Sequence, residues 1–179
     1  MLKKIFIYSA LLISSVAIAS DKGNSIAIVN GEKLKMETKA GKSIAQQMFE
    51  QQNKFQEKIS KIEKEFEAKK QALDKQRSVL SKEAFAKKEA EFNNKIIEAR
   101  NDLKKENGNI EQMQQTASIE FDTIAFEVIK TIVKENKYLQ VLPAGYTIYF
   151  DPRTDITSQV IAGIDKKIDT ITLKAPAAK

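Results

Sequence analysis

The 179-residue sequence carries 30 Lys plus Arg against 24 Asp plus Glu, a formal charge of +6, and contains neither cysteine nor histidine. Those two absences exclude cysteine nucleophiles, histidine general bases, Ser-His-Asp triads and the usual zinc ligand sets. The six glycines form neither a phosphate loop nor a dinucleotide fingerprint, so the chain reads as a non-enzyme without cofactor or metal site.

The first nineteen residues, "MLKKIFIYSALLISSVAIA", combine Lys3 and Lys4, an apolar run and a small-x-small ending at Ala17-Ile18-Ala19. That layout predicts a cleavable secretory signal (1–19) with cleavage before Ser20. A membrane anchor is the alternative reading, but the run is shorter than the roughly 20 residues of a spanning helix and is broken by Ser9, Ser14 and Ser15. Without a cysteine at the cleavage site a lipoprotein anchor is excluded. An exported chain without disulfides has to draw its stability from packing or assembly.

"SIAIVN", Ser25 to Asn30, is an unbroken apolar run that predicts a buried strand. A long connection, "GEKLKMETKAGKS", follows. From Met36 to Asn136 there is then no proline and only Gly41 and Gly108, in a composition dominated by strong helix formers. Disorder is the alternative for so charged a stretch, and periodicity decides against it. Alternating steps of four and three from Met48 meet Phe55, Ile59, Ile62, Phe66, Leu73 and Leu80, a narrow heptad seam with solvated flanks. Ser78 and Ser81 interrupt the run, and Ser81 is the predicted N-cap of a second helix with Glu83 in its first turn. The second seam runs through Phe85, Phe92, Ile96, Leu103, Ile110, Met113 and Ala117, then skips to Phe121, Ile124, Val128 and Ile132. Two long helices joined by a short turn should lie antiparallel, seam against seam.

That seam is imperfect. Gln52, Lys69, Gln76, Glu89 and Glu106 occupy it, and two helices can bury only part of a Phe side chain. Phe55, Phe66, Phe85, Phe92, Ile96 and Leu103 are therefore candidates for contact with an unfolded partner, although ordinary coiled-coil packing explains each of them singly. Between Lys54 and Lys105 stand fifteen basic and ten acidic residues. Lys69, Lys70, Lys75, Arg77, Lys82, Lys87 and Lys88 crowd the expected tip, where a solvated helix surface is the plainer reading of each.

Downstream, Asn136 is the expected C-cap, and "YLQVL", "PAG" and "YTIYF" predict a tight hairpin whose apolar positions include Leu139, Val141, Tyr146, Ile148 and Phe150. A lone hairpin is marginal in water, so Ile26 to Val29 is its expected third strand. Asp155 is the expected N-cap of a closing helix with Val160, Ile161 and Ile164 on its apolar face, and residues 170–179 are expected to be a flexible tail. The predicted fold class is α+β: a small β-rich oligomerisation body built by both termini (20–35 and 137–169, closing helix included), with a long antiparallel helical-hairpin arm (36–136) inserted. A body this small, with an open sheet edge, is expected to assemble with copies of itself around Ile26, Ile28, Leu139, Val141, Ile148 and Phe150.

"IAIVN" at 26–30, a basic helical hairpin, "YTIYFDPRTDIT" at 146–157 and the following "VIAGID" helix occur in an order and spacing that resembles the Skp/OmpH family of periplasmic chaperones. The resemblance implies a periplasmic homotrimer whose arms enclose unfolded outer-membrane β-barrel proteins, prevent their aggregation without ATP and deliver them toward outer-membrane assembly. Anionic lipid head groups are candidate further partners of the basic arms. A structural coiled-coil scaffold or spacer of the cell envelope is the alternative function. Nucleic acid is not an expected partner, because the basic residues are interleaved with acids and the chain is exported.

Overall fold

The structure, a computed structural model, describes residues 26–175. The expected signal segment and the last four residues lie outside the described residues. The apolar run Ile26–Val29, β-branched at all but Ala27, forms β1, and the chain then enters α1, Gly31–Glu37, capped where the Lys33 amide donates to Asn30 Oδ1 (3.0 Å). The connection thus proves helical. Thr38 separates α1 from α2, Lys39–Gln76, and is wholly buried. Its hydroxyl donates to the Leu34 carbonyl (2.7 Å) and accepts from the Gly41 amide (3.1 Å), which closes one helix and opens the next. The corner is tight, since a Cβ on Gly41 would stand 2.0 Å from the Lys35 carbonyl oxygen.

At 1.5 Å per residue α2 runs about 57 Å, and α3, Lys82–Asn136, about 82 Å. Ser81 caps α3 by accepting from the Ala84 amide, with Glu83 in the first turn, as the sequence predicts. Contacts between Phe66 and Phe92, Gln76 and Lys88, and Lys58 and Glu106 set the helices antiparallel. The C-cap falls one residue past Asn136, on Lys137, the one non-glycine with positive φ among the described residues.

β2, Gln140–Pro143, pairs parallel with β1 in the register Ile26↔Gln140 to Val29↔Pro143. On its other side β1 meets the segment before α4: the Ile156 amide donates to the Ile28 carbonyl (3.0 Å) and Ile28 bridges Asp155. The α+β class with its inserted helical hairpin stands, but among the described residues the sheet has two strands. The expected hairpin is not formed within one chain. Ala144–Tyr146 makes a 3-10 turn, residues 147–150 belong to no strand, and no described glycine has the positive φ that a tight hairpin turn demands. α4, Thr157–Lys167, starts one residue later than expected, with Ile156 at the N-cap. Asp155 still serves the helix start, because its Oδ1 accepts from the Thr157 amide (2.8 Å), while the Thr157 hydroxyl accepts from the Asn30 amide (2.9 Å).

The core joins Ala27 and Val29 of β1, Leu34 of α1, Ala40 of α2, Ala117, Phe121 and Ala125 of α3, and Ile156, Val160 and Ile164 around α4. Body and arm therefore share one core: the base of the expected arm supplies Phe121, the largest side chain buried to this degree, which relieves the shortage a body of termini alone would face. Residues 170–175 also depart from the expected free tail. Ile171 is 1% exposed and joins the same core, and Asp169 pairs with Lys39 (2.8 Å), holding that ammonium above its ordinary pKa.

Candidate functional site

Two surfaces stand out. The first is the distal arm. From Phe49 to Asn109 no residue is fully buried, since each helix has only the other to pack against. Phe55, Phe66, Phe85, Phe92, Ile96 and Leu103 all lie on the seam and all are half-buried. Phe66 and Phe92 meet edge to face, with centroids 5.8 Å apart. Two basic side chains of the tip are drawn onto rings, Lys69 over Phe66 (5.5 Å) and Arg77 over Phe85 (5.6 Å). Lys69 also pairs with Glu65, holding that carboxyl below its ordinary pKa, and Lys88 donates to Gln76 Oε1 (2.6 Å). Lys70, Lys75, Lys82 and Lys87 are exposed. The polar seam residues split: Gln52, Lys69 and Glu89 are exposed, whereas Gln76 and Glu106 are half-buried, and Glu106 pairs with Lys58.

The seam pattern missed Phe49 and Ile97, both well exposed. A signal was present, because each directly follows a seam residue, Met48 or Ile96, and neighbours on a helix point about 100° apart and cannot both face one partner helix.

The second surface surrounds the sheet. Of the residues expected at an oligomer core, Ile26, Leu139 and Ile148 are exposed, Ile148 completely, and Val141 and Phe150 are half-buried. Ile28 differs: it is 2% exposed and already enclosed within the single chain, and its backbone is paired with β2 on one side and bridged to Asp155 on the other. Tyr146, Tyr149 and Phe126 add further exposed apolar area. An open cleft of about 960 Å³ runs beneath, lined by Val29, Leu34, Phe121, Ile129, Val141 and Phe150 among others. The loop is fixed where it leaves the patch. Arg153 donates to both Asp151 oxygens and its amide to Asp151 Oδ1, and the Arg153 side chain holds the Asp151 carboxyl down to about 2.

Among the described residues no group of three or more acidic side chains is placed to hold a metal ion, and no helix is long and apolar enough to cross a membrane. The family model described as outer membrane protein (OmpH-like) matches residues 25–164, from the start of β1 into α4. The chain belongs to the OmpH-like family. The crystal structure of an OmpH-like protein of Caulobacter crescentus CB15, provisionally described as an outer membrane chaperone, superimposes with a TM-score of 0.79 over 86% of this chain and 91% of that one. At 16% identity that likeness shows the fold. No curated protein matches this OmpH-like chain in sequence. The family match ends at Ile164, so the segment that places Ile171 in the core lies beyond it.

Proposed function

We propose that this OmpH-like protein is an ATP-independent holdase of the periplasm, exported through a cleaved signal, which assembles as a homotrimer, binds unfolded outer-membrane β-barrel proteins and carries them toward outer-membrane assembly. It acts without enzymatic chemistry and without a cofactor. The observation that carries the reading is the distal arm, where half-buried Phe55, Phe66, Phe85, Phe92, Ile96 and Leu103, with exposed Phe49 and Ile97, leave apolar area open over the whole length between Phe49 and Asn109. An unfolded barrel strand presents alternating apolar and polar groups, and many weak contacts spread along an arm hold it without a fixed pocket. Basic side chains at the tip add attraction for acidic clients and anionic lipid head groups within about 8 Å at physiological salt. The patch formed by Ile26, Leu139, Val141, Ile148 and Phe150 supplies the contact between copies, in keeping with an apolar surface rarely left open on a monomer.

The test is dilution of a denatured outer-membrane barrel protein into buffer with and without a several-fold excess of this protein and no nucleotide. Suppressed light scattering is the expected outcome. Unchanged aggregation would overturn the holdase reading and leave a coiled-coil scaffold of the envelope as the better account.

A further inference from the structure

The chain after α4 runs back over the base of the arm and is held there by side chains of α2 and α3. It leaves the helix through Ile168, whose backbone is extended, and residues 170–175 are neither helix nor strand. Burial nonetheless alternates with a period of two: Thr170 exposed, Ile171 buried, Thr172 exposed, Leu173 half-buried, Lys174 exposed. That is the signature of an extended chain laid on a surface. The surface is built by the base of the arm. From α2, the Gln47 amide reads the main chain of the segment at two points, its Nε2 donating to the Ile171 carbonyl (2.8 Å) and its Oε1 accepting from the Leu173 amide (3.1 Å). From α3, Glu120 pairs with Lys174 (3.0 Å). Ile171 enters the cluster that contains Ala40 and Ala117, and Leu173 packs against that cluster.

Hydrogen bonds to a peptide's backbone give affinity for an extended chain, and seats for every second side chain select the apolar–polar pattern. The occupant here, "TITL", has the apolar–polar alternation of a β-strand with one wet face. We propose that the groove between Gln47 and Glu120 is a binding site for extended peptide segments of alternating apolar and polar residues, occupied in cis by residues 170–174. The choice of an unfolded β-barrel strand as the competing ligand rests on the holdase reading; the groove and its peptide chemistry do not. A tethered occupant acts at an effective concentration in the millimolar range, so it excludes free short peptides and yields to a long segment already held along the arm.

The test uses the full chain and a labelled peptide of residues 168–175, IDTITLKA, followed by fluorescence anisotropy. Two substitutions loosen the tail. Ile171→Ser empties the apolar seat, and Lys174→Glu, at an exposed site, turns attraction to Glu120 into repulsion without touching the core. Ile171→Ser is expected to bind the peptide at least tenfold more tightly than the unsubstituted chain, and Lys174→Glu a few-fold more tightly at low salt. Adding Gln47→Leu to Lys174→Glu should remove the gain, and a peptide with both apolar positions replaced, I171S/L173S, should not bind. Equal binding by all chains, or equal binding of the two peptides, overturns the proposal, and if Ile171→Ser unfolds, Lys174→Glu decides. Suppressed aggregation of a barrel protein without any peptide gain defeats the groove and spares the holdase. A peptide gain without suppression does the reverse.

Discussion

Gly163 of α4 lies against Val128 of α3 so closely that a Cβ at position 163 would stand 2.5 Å from Val128 Cγ1. Val128 is β-branched and stiff about χ1, so its methyl cannot simply swing away. Gly163→Ala gains up to about 1 kcal/mol of helix propensity and loses roughly 1–3 kcal/mol to overpacking. A net loss is expected, read as a lower urea midpoint, and Val128→Ala in the same chain should recover part of it. A midpoint that rises in the single variant would show that the two helices part without cost.

Gly108 is the opposite case. It sits inside α3, and a Cβ there would meet nothing within 4 Å. Gly108→Ala is expected to stabilise the arm by about 1 kcal/mol through the unfolded chain's lost freedom, raising the thermal midpoint and leaving the oligomeric mass unchanged. Gly41→Ala, with the Lys35 carbonyl oxygen 2.0 Å from the new methyl, should instead lower the midpoint, because backbone cannot yield as a side chain can.

These glycines mark where legibility in the sequence ends. The helices of the arm were readable because a heptad seam and the Ser81 cap are local signals, and each seam residue from Phe85 to Leu103 proposed for client contact is half-buried as two-helix packing requires. The pairing of β1 with the chain after α3 was also readable, since no other strand partner existed. "YTIYF" was not. Its alternation is that of a half-buried strand, but alternation does not say what surface would cover it; residues 147–150 belong to no strand and Ile148 is wholly exposed here. Residues 170–175 were unreadable for a related reason: what fixes Ile171 is Gln47, 124 residues away, and "TITLKA" has no local feature that names it.

Acid should act on the loop that closes the exposed patch. The Asp151 carboxyl is held down to about 2 from an ordinary 3.8 by Arg153, so its contribution is complete above about pH 4 and is lost as pH falls toward 2. Glu127 is lowered in the same sense by Lys167, across the α3–α4 contact. These groups are exposed, so the effect is small and screened by salt. Thermal midpoints taken from pH 5 to pH 2 should fall less for Asp151→Asn than for the unsubstituted chain, and the difference should shrink in 1 M salt. Identical slopes would mean that the pair contributes nothing.

Assembly and folding can be separated by two substitutions of the same kind. Ile156 is buried in the core of one chain, so Ile156→Asp places an unpaired carboxylate there and should abolish the cooperative melt, in line with the several kcal/mol that burial of an unpaired charge costs. Ile148 is 107% exposed in the single chain, so Ile148→Asp meets only water unless another copy covers it. If the patch around Ile148 joins three copies, Ile148→Asp should lower the mass measured by light scattering from near three chains to one, while the helical circular dichroism of the arm persists. If dispersed contacts along three arms act together as proposed, the dissociated variant should also lose most of any suppression of barrel-protein aggregation, although every arm residue from Phe49 to Leu103 is untouched. A variant that keeps both mass and activity would remove Ile148 from the interface and require the copies to meet through another surface.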